Sequence, residues 1–329
     1  MKIAVVHNIE QDGVINRYGR LNKEMYYRNE IDTFVTNLGN SGFEVEEFDG
    51  DTFLFQKIVD FLPPLQSGKE FEGIVFNLAY GIQGESRYTH IPAMLEMAGV
   101  AYTGSGPLAH TLALDKEMTK RVLIQAGIPT PGFIVVENEK DLKTVTNHTL
   151  RYPLIIKPKN EAGSFGISVV DNIGDLKQNV LKTLKEYDQP LVVEEYLDGR
   201  ELNVGLLGNG ENIEVFEPVE IDLSTSGELF QSFTGKKDGS YVHICPADIP
   251  ESLKRELQDI AKRTFTLLRC HDYARVDFRL DSKMKPYVLE INSMAAIHKK
   301  GSYCDGAKKA GYTYQSMLEK MVEVAISRY

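Results

Sequence analysis

Hydrophobic and polar positions run along this chain in two rhythms, and the place where one gives way to the other divides it. In roughly the first hundred residues, compact apolar runs such as Lys2 to His7 alternate with stretches of helical period. Ile31 to Asn40 reads as a helix stopped by Gly39 and Gly42, FEVEEFDG and EFEGIVFNLAYG read as strands, and FLFQKIVDFL reads as the helix between them. Strand, helix, strand, helix, strand at this spacing predicts a doubly wound parallel α/β unit over residues 1–104.

Beyond Gly81 a polar segment, GIQGESRYTH, opens onto a helix IPAMLEMAGV and a loop AYTGSGP. A second helix is predicted from Leu114 to Ala126, stopped by Gly127, Pro129 and Pro131. Strands FIVVE, PLIIKP and ISVVD with helices near DLKTVT and IGDLKQNVLKTLKEYD then make a small α+β unit, 105–189, closing at Asp188-Gln189-Pro190. From there to residue 329 the period falls to two, through LVVEEYL, ELNVGLLGN and IEVFEPVEI, and the unit 190–329 is expected to be mainly antiparallel.

The sharpest period-two pattern lies between Asp272 and Asn292. Val276, Phe278 and Leu280 alternate with Arg275, Asp277 and Arg279; a polar turn at Asp281-Ser282-Lys283 follows, then Tyr287 to Asn292. A hairpin here puts Glu290 and Asn292 on one face, within reach of Asp277 on the partner strand. Two carboxylates and a carboxamide are hard oxygen donors of the kind Mg²⁺ prefers. The competing reading is a surface hairpin with a charged outer face.

Composition narrows the classes. A chain of 329 residues with 42% hydrophobic and 26% charged residues fits a soluble globular protein of two or three domains. No apolar window is long enough for a membrane span, and the opening MKIAVVHNIEQDG reads as a first strand, not a leader. A net charge of −10 argues against sequence-independent nucleic-acid binding. The three cysteines, Cys245, Cys270 and Cys304, lie far apart without metal spacing, so reduced core residues and a cytoplasmic location are expected.

Two further segments offer nucleotide chemistry. In PLIIKPKNEAGSFGIS a strand delivers Lys157 to a loop with Gly163, Ser164 and Gly166, where backbone N–H groups can crowd around phosphate. It lacks the G-K-[ST] of a P-loop, and a plain glycine-rich hairpin is the alternative. In LVVEEYLDGRELNV, Glu194, Glu195 and Leu197 end an apolar strand and Glu201 follows, suiting a purine edge and a ribose diol, or else forming a solvated acidic turn.

In this order, the helix lysine of LDKEMTKRVLIQAGIPTP, the strand lysine with its glycine loop, E-E-Y-L and R-V-D-F…L-E-I-N resemble the ATP-grasp superfamily. Within it, YTGSG…LDK…AGIP…P and KKAGYTYQSMLEKMV look like the D-alanine–D-alanine ligases along nearly the whole chain. The resemblance implies an ATP-grasp fold, α/β and α+β, in which 1–104 is the substrate domain and 105–189 and 190–329 clamp ATP. It implies Lys116 and Lys157 on the phosphates, the 160–167 loop closing over them, Glu194, Glu195 and Leu197 around adenine, and Glu201 on the ribose. Asp277, Glu290 and Asn292 would hold two Mg²⁺ ions, with Mn²⁺ an acceptable substitute, and Arg275 would stabilise an oxyanion. Lys236 or Lys237 is the candidate for a further phosphate contact. The implied reaction joins a carboxylate to an amine through an acyl phosphate. Small-molecule partners follow from it, and a homodimer is an expectation of the resemblance alone.

The amino-acid positions depart from the family. HNIEQDGVINRYGR replaces its glycine- and serine-rich first loop, with only Glu10 to offer; Tyr80-Gly81 stands for its His-Gly, followed by Gly84-Glu85-Ser86, where Glu85 is the catalytic candidate. After Asn292, Ala295-Ala296 replace Pro-Gly, Gly301 takes the place of a substrate-binding serine, and His298, Lys299 and Lys300 form either an acceptor site or a solvated loop. The family's lid elements are not evident in STSGELFQSFTGKK. A carboxylate–amine ligase is therefore expected, joining either D-alanine to D-alanine or a different substrate pair. A phosphotransferase and a nucleotide-binding regulator are the alternatives.

Overall fold

A computed structural model describes residues 1–9, 26–66, 71–81, 84–224, 227–231 and 241–329. Glu10, Lys236 and Lys237 lie outside the described residues.

The first sheet has the parallel order β2-β1-β3, from β1 (Lys2–His7), β2 (Glu44–Asp49) and β3 (Gly73–Asn77). Because side chains alternate across β1, Ile3 and Val5 face one apolar layer while Ala4 and Val6 face another. The second layer is built by α2 (Leu54–Phe61) and α3 (His90–Ala98). In the first, α1 (Arg28–Asn40) is joined by Met317, Leu318, Met321 and Val322, so the C-terminal end of the chain packs on the N-terminal sheet.

Helix α4 (Pro107–Leu114) precedes α5 (Lys116–Gln125). The expected single helix from Leu114 to Ala126 is thus corrected at its start: Asp115 accepts the Met118 N–H at 3.0 Å as an N-cap and separates the two. The second sheet is antiparallel, β4-β7-β5-β6, formed by β4 (Phe133–Val136), β5 (Leu154–Pro158), β6 (Ser168–Val170) and β7 (Leu191–Glu195). Its own core is shared with α6 (Leu142–Thr146) and α7 (Ile173–Tyr187).

The third sheet runs β11-β10-β8-β12-β13, with β9 paired to β8. Its strands are β8 (Glu201–Leu207), β9 (Glu214–Val215), β10 (Val219–Asp222), β11 (Val242–Ile244), β12 (Tyr273–Leu280) and β13 (Pro286–Asn292). The expected strand IEVFEPVEI is two pieces, β9 and β10, parted around Pro218, which has no N–H for a ladder. Helix α8 (Glu251–Leu267) covers one face through Leu253, Leu257, Ile260, Ala261 and Phe265, a stripe at helical spacing worth about 1.5–3 kcal/mol per large side chain buried. Helices α9 (Ser302–Lys309) and α10 (Tyr314–Ile326) complete the chain.

The predicted hairpin forms, as β12 and β13 with Asp277 opposite Glu290, Arg275 opposite Asn292, and a bulge between Asp277 and Phe278. It is no surface hairpin: β8 flanks β12 on its other edge, and Asp277 is 7% exposed. At its turn Asp281 Oδ1 accepts the N–H groups of Lys283 and Lys285 at 2.8 and 2.9 Å.

Asp272, fully buried, knots three parts of the chain together. Its carboxylate accepts from Gly104 N (2.7 Å), Asn209 Nδ2 (2.8 Å) and Arg328 Nη2 (2.8 Å). Among the described residues no helix is long and apolar enough to cross a membrane.

Candidate active site

A cleft of about 740 Å³ opens between the second and third sheets. Its chemistry comes from residues far apart in sequence. Strand β5 brings Lys157, the start of α5 brings Lys116, β7 brings Glu194 and Glu195, and β12 and β13 bring Asp277, Arg279 and Glu290. Tyr196, Leu197 and Glu201 line it as well, as do Ser164 and Phe165 of the loop between β5 and β6.

That loop takes a left-handed backbone at three of four successive residues, Gly163 (φ 66°), Ser164 (φ 65°) and Gly166 (φ 71°). Gly166 has a second constraint, since a Cβ there would stand 2.6 Å from Pro158 Cγ and 2.7 Å from the Tyr187 ring. The chain can therefore fold tightly back over the mouth of β5.

Asp277 is the most constrained acid. It accepts from Arg275 Nε (2.6 Å) and Nη2 (2.7 Å), Asn203 Nδ2 (2.9 Å) and Asn292 Nδ2 (2.9 Å). Burial opposes the charge on Arg275, but Asp277 and, further off, Glu290 hold its guanidinium above its ordinary value, so it is a fixed cation. Glu290 Oε2 lies 3.8 Å from Lys116 Nζ across the cleft, and Lys116 also donates to the Glu161 carbonyl.

Glu194 sits deeper, with no exposed surface, between the ammonium groups of Lys157 and Lys120. Burial alone would raise its carboxyl; the two lysines outweigh that and hold it at about 2. Glu195 points to Arg151, accepting from its backbone N–H at 2.9 Å and its Nη2 at 3.2 Å. Glu201, opposite Arg279 on neighbouring strands, lies 3.5 Å from its Nη1. Arg279 also donates to Tyr196 Oη (2.8 Å) and the Leu229 carbonyl (2.7 Å), tying the connector after β7 to the third sheet.

Thus the structure brings together Lys116, Lys157, Ser164, Glu194, Glu195, Leu197, Glu201, Asp277 and Glu290 on one cleft, with Arg275 and Asn292 directly behind Asp277. Glu85 is exposed in the turn after Gly84 and does not line the cleft. Sequence reading missed Lys120 and gave Arg279 no role. Lys120 had a signal: on α5 the buried stripe Lys116, Thr119, Lys120, Leu123 places a second lysine where an apolar residue belongs.

The stretch after Asn292 is engaged with the rest of the chain. His298 Nδ1 lies 2.6 Å from Glu30 Oε1 on α1, its ring is 5.1 Å from that of Tyr26, and Lys299 Nζ lies 5.0 Å over the Tyr314 ring. Lys300 is exposed. Ser302 Oγ donates to Asn203 Oδ1 at 2.8 Å, linking α9 through Asn203 to Asp277.

Ser293 Oγ is 2.8 Å from Nδ1 of His110, itself 1% exposed. Burial pushes this imidazole down to about 4, against the Ser105 backbone, which favours its charged form. Between 6.5, its unfolded value, and about 4 the unfolded chain binds the extra proton, so this contribution to stability falls as pH is lowered through that window. Urea titrations at about pH 6.5 and 5 should show a loss of roughly 2 kcal/mol that His110→Gln removes. An unchanged pH slope in the variant contradicts the assignment.

A lysine-lined cleft between two antiparallel sheets, with strand-borne carboxylates on the far wall, is the ATP-grasp architecture. The family model described as D-ala D-ala ligase C-terminus matches residues 122–323. The D-alanine–D-alanine ligase of Bordetella petrii is 34% identical over 251 residues, covering 76% of this chain and 75% of that protein. An uncharacterized protein of Sinorhizobium fredii, y4sG, is 41% identical over 335 residues, covering 100% of this chain and 98% of its own length. In fold, the crystal structure of the Bacillus anthracis D-alanine–D-alanine ligase complexed with ATP superposes with a TM-score of 0.74 at 21% identity, covering 100% of this chain and 98% of that one. The chain belongs to the D-alanine–D-alanine ligase family.

Proposed function

We propose that this protein is an ATP-dependent carboxylate–amine ligase that forms an amide bond between amino acids, or similar small molecules, through an acyl phosphate. The observation that carries this reading is the convergence of Lys116 and Lys157 with Asp277 and Glu290 on one cleft, Arg275 fixed behind them.

Triphosphate in this cleft meets Lys116 and Lys157 on one wall. The 160–167 loop, with Gly163, Ser164 and Gly166, closes over it; Glu194, Glu195 and Leu197 border the base, and Glu201 the ribose. The metal reading fits the donors present. Asn292 commits its Nδ2 to Asp277, which leaves its side-chain carbonyl as the ligand end. Asp277, Glu290 and Asn292 would hold the metal through their oxygens, with bound phosphate as a further source of oxygen donors. Mg²⁺, as two ions, or Mn²⁺ in its place, would supply charge neutralisation for the phosphates when bound.

A carboxylate oxygen of the first substrate attacks the γ-phosphorus and ADP leaves. The amine of the second attacks the acyl carbon, and phosphate departs with the carboxylate oxygen while the amine proton passes to solvent. Arg275 faces the charge that develops on the acyl oxygen, as a cation whose position Asp277 has already set. Lys236 or Lys237 is the candidate for a further phosphate contact, and Glu85, which does not line the nucleotide cleft, is the candidate on the substrate side. The units 1–104, 105–189 and 190–329, a cytoplasmic setting and a homodimer belong to the same reading, on family grounds.

The departures on the amino-acid side support a substrate pair other than two D-alanines. Next to those departures Tyr26, Tyr80 and Tyr88 pack in series, with ring centroids 5.6 and 5.5 Å apart, beside His298. Specificity rests on a few such contacts.

In a steady-state assay with Mg²⁺ and ATP, ADP and phosphate should appear together only when a carboxylate and an amine substrate are both present. A stable phosphorylated product without amine would instead identify a phosphotransferase; tight ATP binding without turnover on any pair would favour a regulator.

A further inference from the structure

Glu194 is shared by two lysines that differ in freedom. Lys120, on the inner side of α5, is 1% exposed and is pinned: its ammonium donates to Thr130 Oγ1 at 2.9 Å, and that hydroxyl donates to the Val288 carbonyl at 2.9 Å. Lys157 lines the cleft and can turn toward a ligand in it. Both ammonium groups pair with Glu194, Lys120 on Oε2 and Lys157 on Oε1.

Charge counting gives the arrangement a purpose. Two cations and one carboxylate leave one positive charge over. When Lys157 turns to a phosphate, Lys120 still neutralises Glu194, and no buried ion is stranded. Without Lys120, Glu194 and Lys157 form a closed pair, and any phosphate contact by Lys157 leaves a fully buried carboxylate unpaired, a costly state.

We propose that Lys120 is a positioning residue, the resident counter-ion of Glu194, and that it frees Lys157 to bind the phosphates of the nucleotide. The inference rests on the reading of the cleft as a site for ATP. Lys120 itself touches no phosphate; it acts through Glu194.

Adenosine separates the electrostatic role from general damage, because it shares the base and sugar of ATP and lacks the phosphates. Lys120→Met keeps the volume of the lysine stem and leaves Glu194 paired with Lys157, so the variant should fold with a melting temperature near that of the parent protein. By calorimetric titration of the full chain with Mg²⁺ and no amino acids, Lys120→Met should bind ATP more weakly by on the order of 10- to 100-fold. Its adenosine affinity should change by less than about 3-fold. The double variant Lys120→Met/Glu194→Gln, in which Lys157 has no carboxylate to satisfy, should regain most of the lost ATP affinity.

Equal ATP binding by Lys120→Met and the parent protein overturns the inference, and so does a parallel loss for ATP and adenosine, or a double variant no tighter than the single one. A parent protein that binds neither compound overturns the reading of the cleft, and the inference with it.

Discussion

Asp277→Asn abolishes turnover, lowering the rate of ADP release by at least about 10³-fold, while the protein stays folded. Four donor atoms converge on the Asp277 carboxylate, two from Arg275 and one each from Asn203 and Asn292. An amide offers one oxygen and two N–H donors, so it cannot satisfy that set; a local cost of about 1–3 kcal/mol is expected, within reach of a chain this size. The functional loss is larger. The substitution removes the hard anionic donor proposed for the metal and, at once, the partner that fixes Arg275. Initial rates beside a thermal melt make the check, and a variant with more than about a tenth of the parent rate would remove Asp277 from the mechanism.

Asp272→Ala should cost about 3–5 kcal/mol of stability, read from urea titration at neutral pH. The reason is what it strands. Arg328 Nη2 loses a carboxylate at 2.8 Å, the Gly104 N–H loses its acceptor at 2.7 Å, and Asn209 Nδ2 loses one at 2.8 Å, all three donors having converged on a fully buried carboxylate. Arg328 also donates to the Tyr102 carbonyl at 2.7 Å, so the change loosens the C-terminal residues from the loop that leads into α4. The double variant with Arg328→Met should recover part of the loss, because the uncompensated cation goes too. A penalty under about 1 kcal/mol for Asp272→Ala would show that the knot is not a stabilising one.

Much of the fold was legible because its periodic patterns are local. The apolar run of β1, the alternation of β12 and the glycine stop after α5 each declare an element within a few residues. Helix α8 was equally legible, with Leu253, Leu257, Ile260 and Ala261 at helical spacing, and the reading of the last unit as mainly strands passed over it. What no local pattern carries is the company an element keeps. Nothing within α10 says that it packs on β1 and β3, and nothing near Asp272 names Arg328 as its partner.

The candidate site divides in the same way. Asp277, Glu290 and Asn292 were readable together because a hairpin is a short-range object whose register follows from alternation. Lys116, Lys157, Glu194 and Glu201 were gathered through family resemblance, since physics alone left each with a bland alternative. Lys120 escaped because a lysine on a helix is ordinarily solvated, and only the tertiary structure places a buried carboxylate opposite it. Local sequence does not decide between an acceptor site and a solvated loop for His298, because its partner Glu30 lies far away in sequence, on α1.

The central claim is that a carboxylate is activated by phosphorylation and then captured by an amine. It is tested most directly with amino acids whose carboxylates carry ¹⁸O, supplied as a pool of D- and L-forms with ATP and Mg²⁺, the phosphate and any condensed product being read by mass spectrometry. The expected result is phosphate carrying one ¹⁸O atom per molecule released, formed in step with a condensed amide. Unlabelled phosphate without condensed product, the signature of ATP hydrolysis by water, would contradict it.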